Sequence, residues 1–364
     1  MLYNIQISRG IAALLVLVAH ANLMVNPLLC HGVFLIGWSG LHFFFVLSGF
    51  IIFQAHSHQI GEPASFGPYI YKRIRRIYPI YWVYTLLVLA INFALVKAFA
   101  RPLVTWTAID PGTVIQSLSL WPTDMSAGAM PVIPVAWTLS YEMLFYAIFG
   151  IALLVRPQLS ALVVALWLAL IFGSMAGVIK SGSPVLAVAA NPMNLEFMLG
   201  CFAGYLVRKS GDSWSRPAVV AVLATGLMLL VLAWVNAHSN YALLGKSDAI
   251  QFGVAFFLIV LGLALLERFR TKEPGAFQRI AVYVGDASYS IYLTHFIFIV
   301  ALIPLFKRSA AAGSAWDFAA IILISSVAGC IAYSAVEKPL MKWLPRRLPT
   351  GGPGGTLPCR AHSA

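Results

Sequence analysis

Long apolar stretches separated by short polar segments dominate the pattern of residues along the chain. Each stretch has about 20 residues, which is the length that a helix needs to cross a hydrocarbon layer about 30 Å thick. Backbone groups in lipid must be satisfied internally, and the short alternating segments of a barrel are missing from the sequence, so the stretches are predicted to be helices. The pattern predicts ten of them, at 6–26, 34–55, 78–98, 133–155, 158–179, 189–208, 217–236, 249–267, 281–303 and 316–336.

The composition agrees with an all-α, polytopic integral membrane protein. Of the 364 residues, 60% are hydrophobic and only 10% are charged, against about 25% charged residues in soluble domains. One transmembrane domain is expected over residues 1–345, in a single bundle. The Gly/Pro-rich segment 346–364 is expected to be a disordered cytoplasmic tail. The cysteines show neither a disulfide pattern nor a metal pattern, so no metal is expected; they are Cys30, Cys201, Cys330 and Cys359.

The basic residues predict the orientation. With the N-terminus in the cytoplasm, ten helices return the C-terminus to the same side, and eighteen of the 24 Lys and Arg residues then face the cytoplasm. This distribution follows the positive-inside rule, so the net charge of +12 reflects topology and not nucleic-acid binding. A multi-pass protein of a bacterial inner (plasma) membrane is expected. Signal-peptide cleavage at Ala19-His20-Ala21 is the less favoured alternative, because apolar character resumes after it.

A few ionisable residues lie deep inside the predicted helices, where each costs on the order of 3 kcal/mol. They are His20, His42, Glu142, Glu196 and His295. Counting the rise per residue places His20 and Glu142 at similar depth, about 10 Å below the outer boundary, so the two could meet. A carboxylate bonded to one imidazole nitrogen leaves the other as a general base. The alternative is a structural polar pair that joins two helices, worth about 1 kcal/mol.

A basic cluster is expected at the inner boundary. Arg9 lies at the start of the first helix, and Lys72-Arg73-Ile74-Arg75-Arg76 precedes the third. Arg73 and Arg76 are three residues apart and share a face if the segment is helical. Guanidinium groups suit phosphates, although topogenic charge near anionic headgroups is an alternative. Together, cluster and base suggest that a phosphorylated donor binds from the cytoplasm and passes a group across the membrane.

Several segments resemble the membrane-bound acyltransferase-3 family of O-acyltransferases. Arg9 and His20 are spaced as in its R-x10-H signature, and Arg73-x-x-Arg76 resembles its R-x-x-R motif. Three further stretches resemble family motifs: FFFVLSGFII at 43–52, WTLSYEMLFY at 137–146 and DASYSIYLTHF at 286–296. The resemblance covers most of the chain.

The resemblance implies transfer of an acyl group, most often acetyl, from cytoplasmic acyl-coenzyme A to a hydroxyl outside. The acceptor would be a carbohydrate or lipid-linked glycan, with an exopolysaccharide unit first, and polysaccharide biosynthesis machinery is a possible partner. By the same resemblance His20 is the catalytic base and Glu142 its acidic companion, while Arg9, Arg73 and Arg76 engage the coenzyme A phosphates. The soluble esterase-like domain of some relatives is not expected.

Other positions receive weaker expectations. The aromatic residues Trp137 and Tyr141 are candidates to stack on a sugar acceptor or to anchor at the interface. His42 departs from the family pattern, which often has Asp there, and His295 is expected to be a satisfied core histidine. Glu196 receives no role.

Two acidic residues near helix ends complete these expectations. Asp286 is expected to cap the next helix, and Glu337 is expected to lie at the membrane surface.

The alternative function is a proton-coupled transporter or glycan flippase, in which His20 and Glu142 relay protons and the arginines bind an anion. Such proteins more often show Gly/Pro-broken helices at matching positions in two halves, which the sequence does not. Binding of coenzyme A discriminates between the two, because only the acyltransferase requires it. A non-catalytic subunit of a polysaccharide export complex is a third option.

Overall fold

The computed structural model describes residues 2–25, 36–180, 182–210, 213–238, 247–271, 273–306 and 314–345. The predicted tail 346–364 therefore lies outside the described residues, as do Cys30 and Cys359. Within the described ranges the secondary structure is helical, without strands. The α-helices are α1 (Tyr3–Val25), α2 (Ser39–His56), α3 (Phe66–Phe99), α4 (Pro111–Ser119), α5 (Trp137–Leu154), α6 (Pro157–Met175), α7 (Pro184–Ala189), α8 (Asn194–Lys209), α9 (Arg216–His238), α10 (Asp248–Leu266), α11 (Ala276–Asp286), α12 (Ser288–Phe306), α13 (Ala315–Ala332) and α14 (Lys338–Trp343).

The all-α, multi-pass class is confirmed: the described residues contain 10 helical spans long and apolar enough to cross a membrane. Two of the spans differ most from the prediction. The helix expected at 78–98 begins at Phe66, so the basic cluster lies inside α3 and not in a loop. The stretch expected at 281–303 is divided between α11 and α12. The hydrophobic pattern identifies the part of a helix that lipid can surround. The first turns of α3 are polar and pack against protein instead, with Tyr69 buried, so the helix is longer than its apolar part.

Glycines allow the helices at the centre of the bundle to approach closely. A Cβ at Gly200 of α8 would lie 1.9 Å from the Val46 carbonyl oxygen of α2, and one at Gly49 would lie 1.9 Å from that of Phe197. α10 packs on both α2 and α8, and α1 packs against α2, α11, α12 and α13. Small residues are the usual means of such contacts between membrane helices, where apolar side chains gain little by leaving lipid.

The segment between α3 and α5 folds back along α3. Near the end of α3, Asn92 Oδ1 accepts hydrogen bonds from the amides of Leu103 and Val104. Farther along the segment, α4 reaches the middle of α3, where the Tyr81 hydroxyl donates to the Ser117 carbonyl at 2.8 Å. The Ser140 hydroxyl near the start of α5 donates to the Leu120 carbonyl, so this segment contacts both α3 and α5.

Candidate active site

A cavity of about 720 Å³ opens at the end of the bundle where α1 begins. It lies between α1, α2, α3, α5, α12 and the segment that ends in α14. We call it the basic cavity, after the residues that line it: Arg9, Lys72, Arg73, Arg75, Arg76, Lys338 and Lys342. Its volume is within the range of small-molecule sites, about 300–1,000 Å³. The three arginines that the sequence grouped together, Arg9, Arg73 and Arg76, all line it.

Arg76 is held by a buried carboxylate from the far end of the chain. Its Nη1 lies 3.1 Å from Oε1 of Glu337, and its guanidinium lies 5.6 Å from the centre of the Tyr289 ring. Glu337 also accepts a hydrogen bond from the Ser290 hydroxyl at 2.6 Å, and that hydroxyl contacts Tyr84 at 2.8 Å. Glu337 ends a π-helical turn, Tyr333–Glu337. Sequence analysis had assigned Glu337 to the membrane surface and missed its role as the partner of Arg76.

Arg73 keeps donor capacity that the protein does not use. Its guanidinium lies 5.8 Å from the ring centres of Tyr69 and Tyr146, and its Nη2 donates to Nε2 of His56 at 3.1 Å. Its Nε, like that of Arg75, is buried without a hydrogen-bond partner among the described residues. A guanidinium has five N–H donors, and an unpaired buried donor is costly. The basic cavity therefore fits an anion with several acceptor oxygens.

Glu142 lies in the basic cavity, on the face of α5 that points toward the arginines. Its Oε1 accepts hydrogen bonds from the Ser48 hydroxyl, at 3.2 Å, and from the Tyr146 hydroxyl. It is also close enough to Arg9 to interact with it electrostatically. Neither hydrogen bond involves His20, so the structure does not show the direct pair of His20 and Glu142 that helix rise allowed. Helix rise gives the position of a residue along the helix axis but not the direction in which its side chain points: Glu142 lines the basic cavity, whereas His20 contacts His295.

His20 lies beyond the inner wall of the basic cavity, on α1. Its Nδ1 is 2.9 Å from the Val16 carbonyl oxygen and 3.3 Å from Nε2 of His295. Because a carbonyl oxygen only accepts, we assign the proton to Nδ1 of His20, which leaves Nε2 with its lone pair. The ring packs against Trp38 and Phe296, with centroids 4.6 and 5.6 Å away. His20 therefore presents an imidazole nitrogen that can take a proton or act as a nucleophile.

The wall between the cavity and His20 is thin. Thr138 and Tyr292 line the cavity, and Thr138 Oγ1 lies 2.9 Å from the Tyr292 hydroxyl oxygen. The Tyr292 ring in turn lies 5.9 Å from the His295 ring, which contacts His20. The basic cavity thus ends about one side-chain layer from the pair of histidines.

Trp137 and Tyr141, the two candidates for stacking on a sugar, pack against other aromatic side chains of the bundle. Tyr141 is buried and stacks on Phe45, with ring centroids 5.8 Å apart, and Trp137 packs edge-on against Tyr141 at 5.7 Å. The Phe296 ring contacts both His20 and Trp106, which belongs to the segment between α3 and α5; the ring centroids of Phe296 and Trp106 lie 5.2 Å apart. Only the three-dimensional path of that segment brings Trp106 there.

His42 and Glu196 form a second buried pair. Nδ1 of His42 lies 2.5 Å from Oε1 of Glu196, and both side chains are nearly inaccessible to solvent. The His42 ring also stacks on Phe252, with ring centroids 5.0 Å apart. The signal in the sequence was the departure at His42, since a histidine can pair with a carboxylate where an aspartate would repel it.

Asp286 is the last residue of α11, and α12 begins at Ser288, so the expectation that Asp286 caps the following helix is wrong. Its carboxylate instead accepts a hydrogen bond from Gln6, beside Arg9 at the cavity. Among the residues that the structure describes, no group of three or more His, Cys, Asp or Glu side chains is gathered as a metal site.

A multi-pass helical bundle with a basic cavity on one side of a half-buried histidine defines the class of this protein: a polytopic membrane protein with an anion site near a potential base. Residues 2–335 match the family described as an acyltransferase domain, which is nearly the whole chain. The chain therefore belongs to the acyltransferase-3 family.

Curated relatives agree with this membership. The chain is similar to the exopolysaccharide production protein ExoZ of Rhizobium meliloti (strain 1021), with 30% identity over 88% of this chain and 95% of the relative. It is similar to the acyltransferase MdmB of Streptomyces mycarofaciens, with 26% identity over 94% and 92%. A putative acetyltransferase, ORF330, of Acidianus two-tailed virus is 23% identical over 79% and 81%. No solved structure matches significantly.

Proposed function

We propose that the protein transfers an acyl group, in the first place acetyl, from acyl-coenzyme A to a hydroxyl of a carbohydrate or lipid-linked glycan. The acceptor would be an exopolysaccharide unit, and the protein would act in a bacterial inner membrane with the basic cavity facing the cytoplasm. Family membership supports acyl transfer, the name of the ExoZ relative supports the acceptor class, and the positive-inside distribution supports the orientation.

One observation carries the proposal: the basic cavity brings three arginines together and ends at Tyr292, whose ring lies 5.9 Å from that of His295, the partner of His20. Arg9, Arg73 and Arg76 would bind the phosphates of the donor, since guanidinium groups form bidentate, charge-assisted hydrogen bonds with phosphate. The thioester would then extend toward the wall formed by Thr138 and Tyr292. This arrangement would join a donor on one side of the membrane to an acceptor on the other.

The chemical step follows from the free nitrogen of His20. Nε2 takes the proton of the acceptor hydroxyl, the oxygen attacks the thioester carbonyl carbon, and the carbon–sulfur bond breaks. The proton then passes from the imidazolium to the departing thiolate, so the products are the acyl ester and free coenzyme A. General base catalysis contributes about 10²–10⁴-fold, and positioning of the two substrates supplies much of the remainder.

Glu142 acts from the donor side in this proposal. Its carboxylate holds Ser48 and Tyr146 by hydrogen bonds and lies near Arg9. It would fix the wall of the cavity and the guanidinium groups around it while the phosphates bind. This makes Glu142 a positioning residue for the donor, and its companionship with His20 is indirect.

The test is the O-acetyl content of surface polysaccharides, measured by NMR and mass spectrometry in a deletion strain. The strain is complemented with wild type, His20→Ala, Arg73→Ala or Arg268→Ala, and membrane levels are checked. Arg268 is a matched control, because it lies outside the basic cavity and donates to the Val207 carbonyl. Wild type and Arg268→Ala should restore acetylation, whereas His20→Ala and Arg73→Ala should not.

Coenzyme A binding by the purified protein separates the two failing variants. His20→Ala should bind coenzyme A as wild type does, and Arg73→Ala should bind it weakly. If acetylation does not depend on the gene while glycan export falls, the transporter alternative replaces the proposal. If the His20→Ala variant restores acetylation, His20 is not the catalytic base.

A further inference from the structure

The histidine pair gives His20 a partner that sequence analysis treated as a packing residue. His295, on α12, is buried, and its Nε2 lies 3.3 Å from Nδ1 of His20. We infer that His295 is a positioning residue for the catalytic nitrogen of His20, in the place where a carboxylate was expected. This inference rests on the proposed transfer reaction and names a further residue that it requires.

The hydrogen bonds determine which nitrogen of His295 faces His20 as an acceptor. Nδ1 of His295 lies 3.1 Å from the Ile291 carbonyl oxygen, which can only accept, so the proton is on Nδ1. Nε2 of His295 therefore carries a lone pair. It accepts from the Nδ1–H of His20, which shares its proton between this nitrogen and the Val16 carbonyl oxygen.

Both histidines can be neutral in this arrangement, and each tautomer supports the other. With its Nδ1–H engaged twice, the His20 ring cannot exchange tautomers without losing both bonds, so Nε2 remains the unprotonated atom. When Nε2 takes the acceptor proton, His20 becomes a cation, and hydrogen bonds from a charged donor are about twice as strong as neutral ones. His295 thus stabilises the charged intermediate without bringing a charge of its own.

The packing around the pair holds this geometry. The ring centroids of His20 and His295 lie 4.9 Å apart in an edge-on arrangement, and Tyr292 closes the side toward the basic cavity. Trp38 and Phe296 also pack against the His20 ring, which remains half-buried. Contacts of this kind keep the ring oriented, which a general base needs when it must meet two substrates.

Amide replacements at position 295 test the contact atom by atom. A Gln amide reaches the position of imidazole Nε2 and can present an acceptor oxygen to His20, whereas an Asn amide reaches only the position of Nδ1. His295→Leu keeps volume and removes all polar atoms. Thr294→Val is the matched control on the same helix, because among the described residues the Thr294 hydroxyl bonds to the Ser290 carbonyl of its own helix and to no other group.

The full-length protein is reconstituted in liposomes with labelled acetyl-coenzyme A and O-deacetylated surface polysaccharide as the acceptor. His295→Leu and His295→Asn should lower kcat about tenfold to a hundredfold, with the KM for acetyl-coenzyme A within about twofold of wild type. His295→Gln should retain most of the rate, and Thr294→Val all of it. The double variant His20→Ala/His295→Leu should be no slower than His20→Ala alone, because His295 acts through His20.

The outcomes separate this inference from the proposed function. Wild-type liposomes that transfer no acetyl group would overturn the proposed function. Active wild type with an unchanged His295→Asn rate, or a double variant slower than His20→Ala, would overturn only the role of His295. Equal losses of rate in His295→Gln and His295→Asn, with membrane levels and thermal stability unchanged, would also overturn it. Such a result would mean that the reaction requires the imidazole ring of His295 and not merely a hydrogen-bond acceptor at the position of its Nε2.

Discussion

Arg76 and Glu337 form an ion pair with 3.1 Å between Nη1 and Oε1, although 261 residues separate them in the chain. The Glu337 side chain is buried, and the Arg76 side chain is partly exposed to the basic cavity. The pair thus fixes one end of a guanidinium whose other face is open to a ligand. Sequence analysis could not have paired the two, because nothing local connects the start of α3 to a π-helical turn near α14.

The first prediction concerns this ion pair. Glu337→Gln keeps the shape of the side chain and removes its charge, so Arg76 should lose its fixed orientation and the KM for acetyl-coenzyme A should rise about tenfold, with a smaller effect on kcat. Steady-state kinetics in liposomes measures this. Glu267→Gln is the control, because Glu267 accepts from the Asn4 amide outside the cavity. An unchanged KM in Glu337→Gln would contradict the assignment.

The second prediction concerns the planar guanidinium group of Arg73. Arg73→Lys keeps the positive charge but loses the planar set of donors, so the Kd for coenzyme A should rise about tenfold. Arg268→Lys, outside the cavity, should leave the Kd unchanged. Calorimetric titration of coenzyme A into the detergent-solubilised protein distinguishes them. Equal binding by both variants would mean that the cavity attracts the donor by charge alone.

The third prediction concerns the buried pair of His42 and Glu196. His42→Leu should destabilise the protein by about 3–5 kcal/mol, because it leaves a buried carboxylate without its partner. Replacing both residues, as His42→Leu/Glu196→Met, should recover most of the loss. Thermal unfolding in detergent measures both variants. The exposed His58 supplies the control, since His58→Leu should have little effect.

A related variant tests the departure from the family pattern. His42→Asp would place two carboxyl groups together in a buried site, so it should destabilise the protein at least as much as His42→Leu. A stable His42→Asp variant would mean that the two side chains can move apart.

The fourth prediction concerns the contact of α2 with α8. Gly200→Ala introduces a methyl group 1.9 Å from the Val46 carbonyl oxygen, so the helices must separate and the membrane level of the protein should fall sharply. A Cβ at Gly275 meets nothing within 4 Å. Gly275→Ala should therefore accumulate as wild type does. Similar levels of both variants on immunoblots would show that the contact is looser than described.

The fifth prediction concerns the cap of α4. Asp110 accepts from the Thr113 amide and hydroxyl, and these bonds hold the pKa of Asp110 below its ordinary value. The cap is therefore present above the ordinary carboxyl pKa and is lost as pH falls through the lower value. Asp110→Ala should speed amide hydrogen exchange over 111–119 at neutral pH, whereas Asp110→Asn should preserve the cap. Equal exchange in the two variants would contradict the capping role.

Much of the fold could be predicted from the sequence because the requirements for crossing lipid apply to consecutive residues. Any segment that crosses it must be apolar, helical and about 20 residues long, so the ten spans appear in the hydrophobic pattern. Motif spacing likewise grouped Arg9, Arg73 and Arg76, because two of them share a helix face and the third begins a neighbouring helix. These are local or compositional properties, and the chain carries them before it folds.

The contacts between helices required the tertiary structure. Helix rise alone placed Glu142 at a depth similar to that of His20, but in the folded chain the carboxylate of Glu142 accepts hydrogen bonds from Ser48 and Tyr146 instead. The partner of His20 is then His295. Rotation, tilt and starting depth decide which side chains meet, and they depend on the packing of all the helices together. The sequence by itself determined which charged groups the membrane must accommodate, and only the tertiary structure decided which partner each of them has.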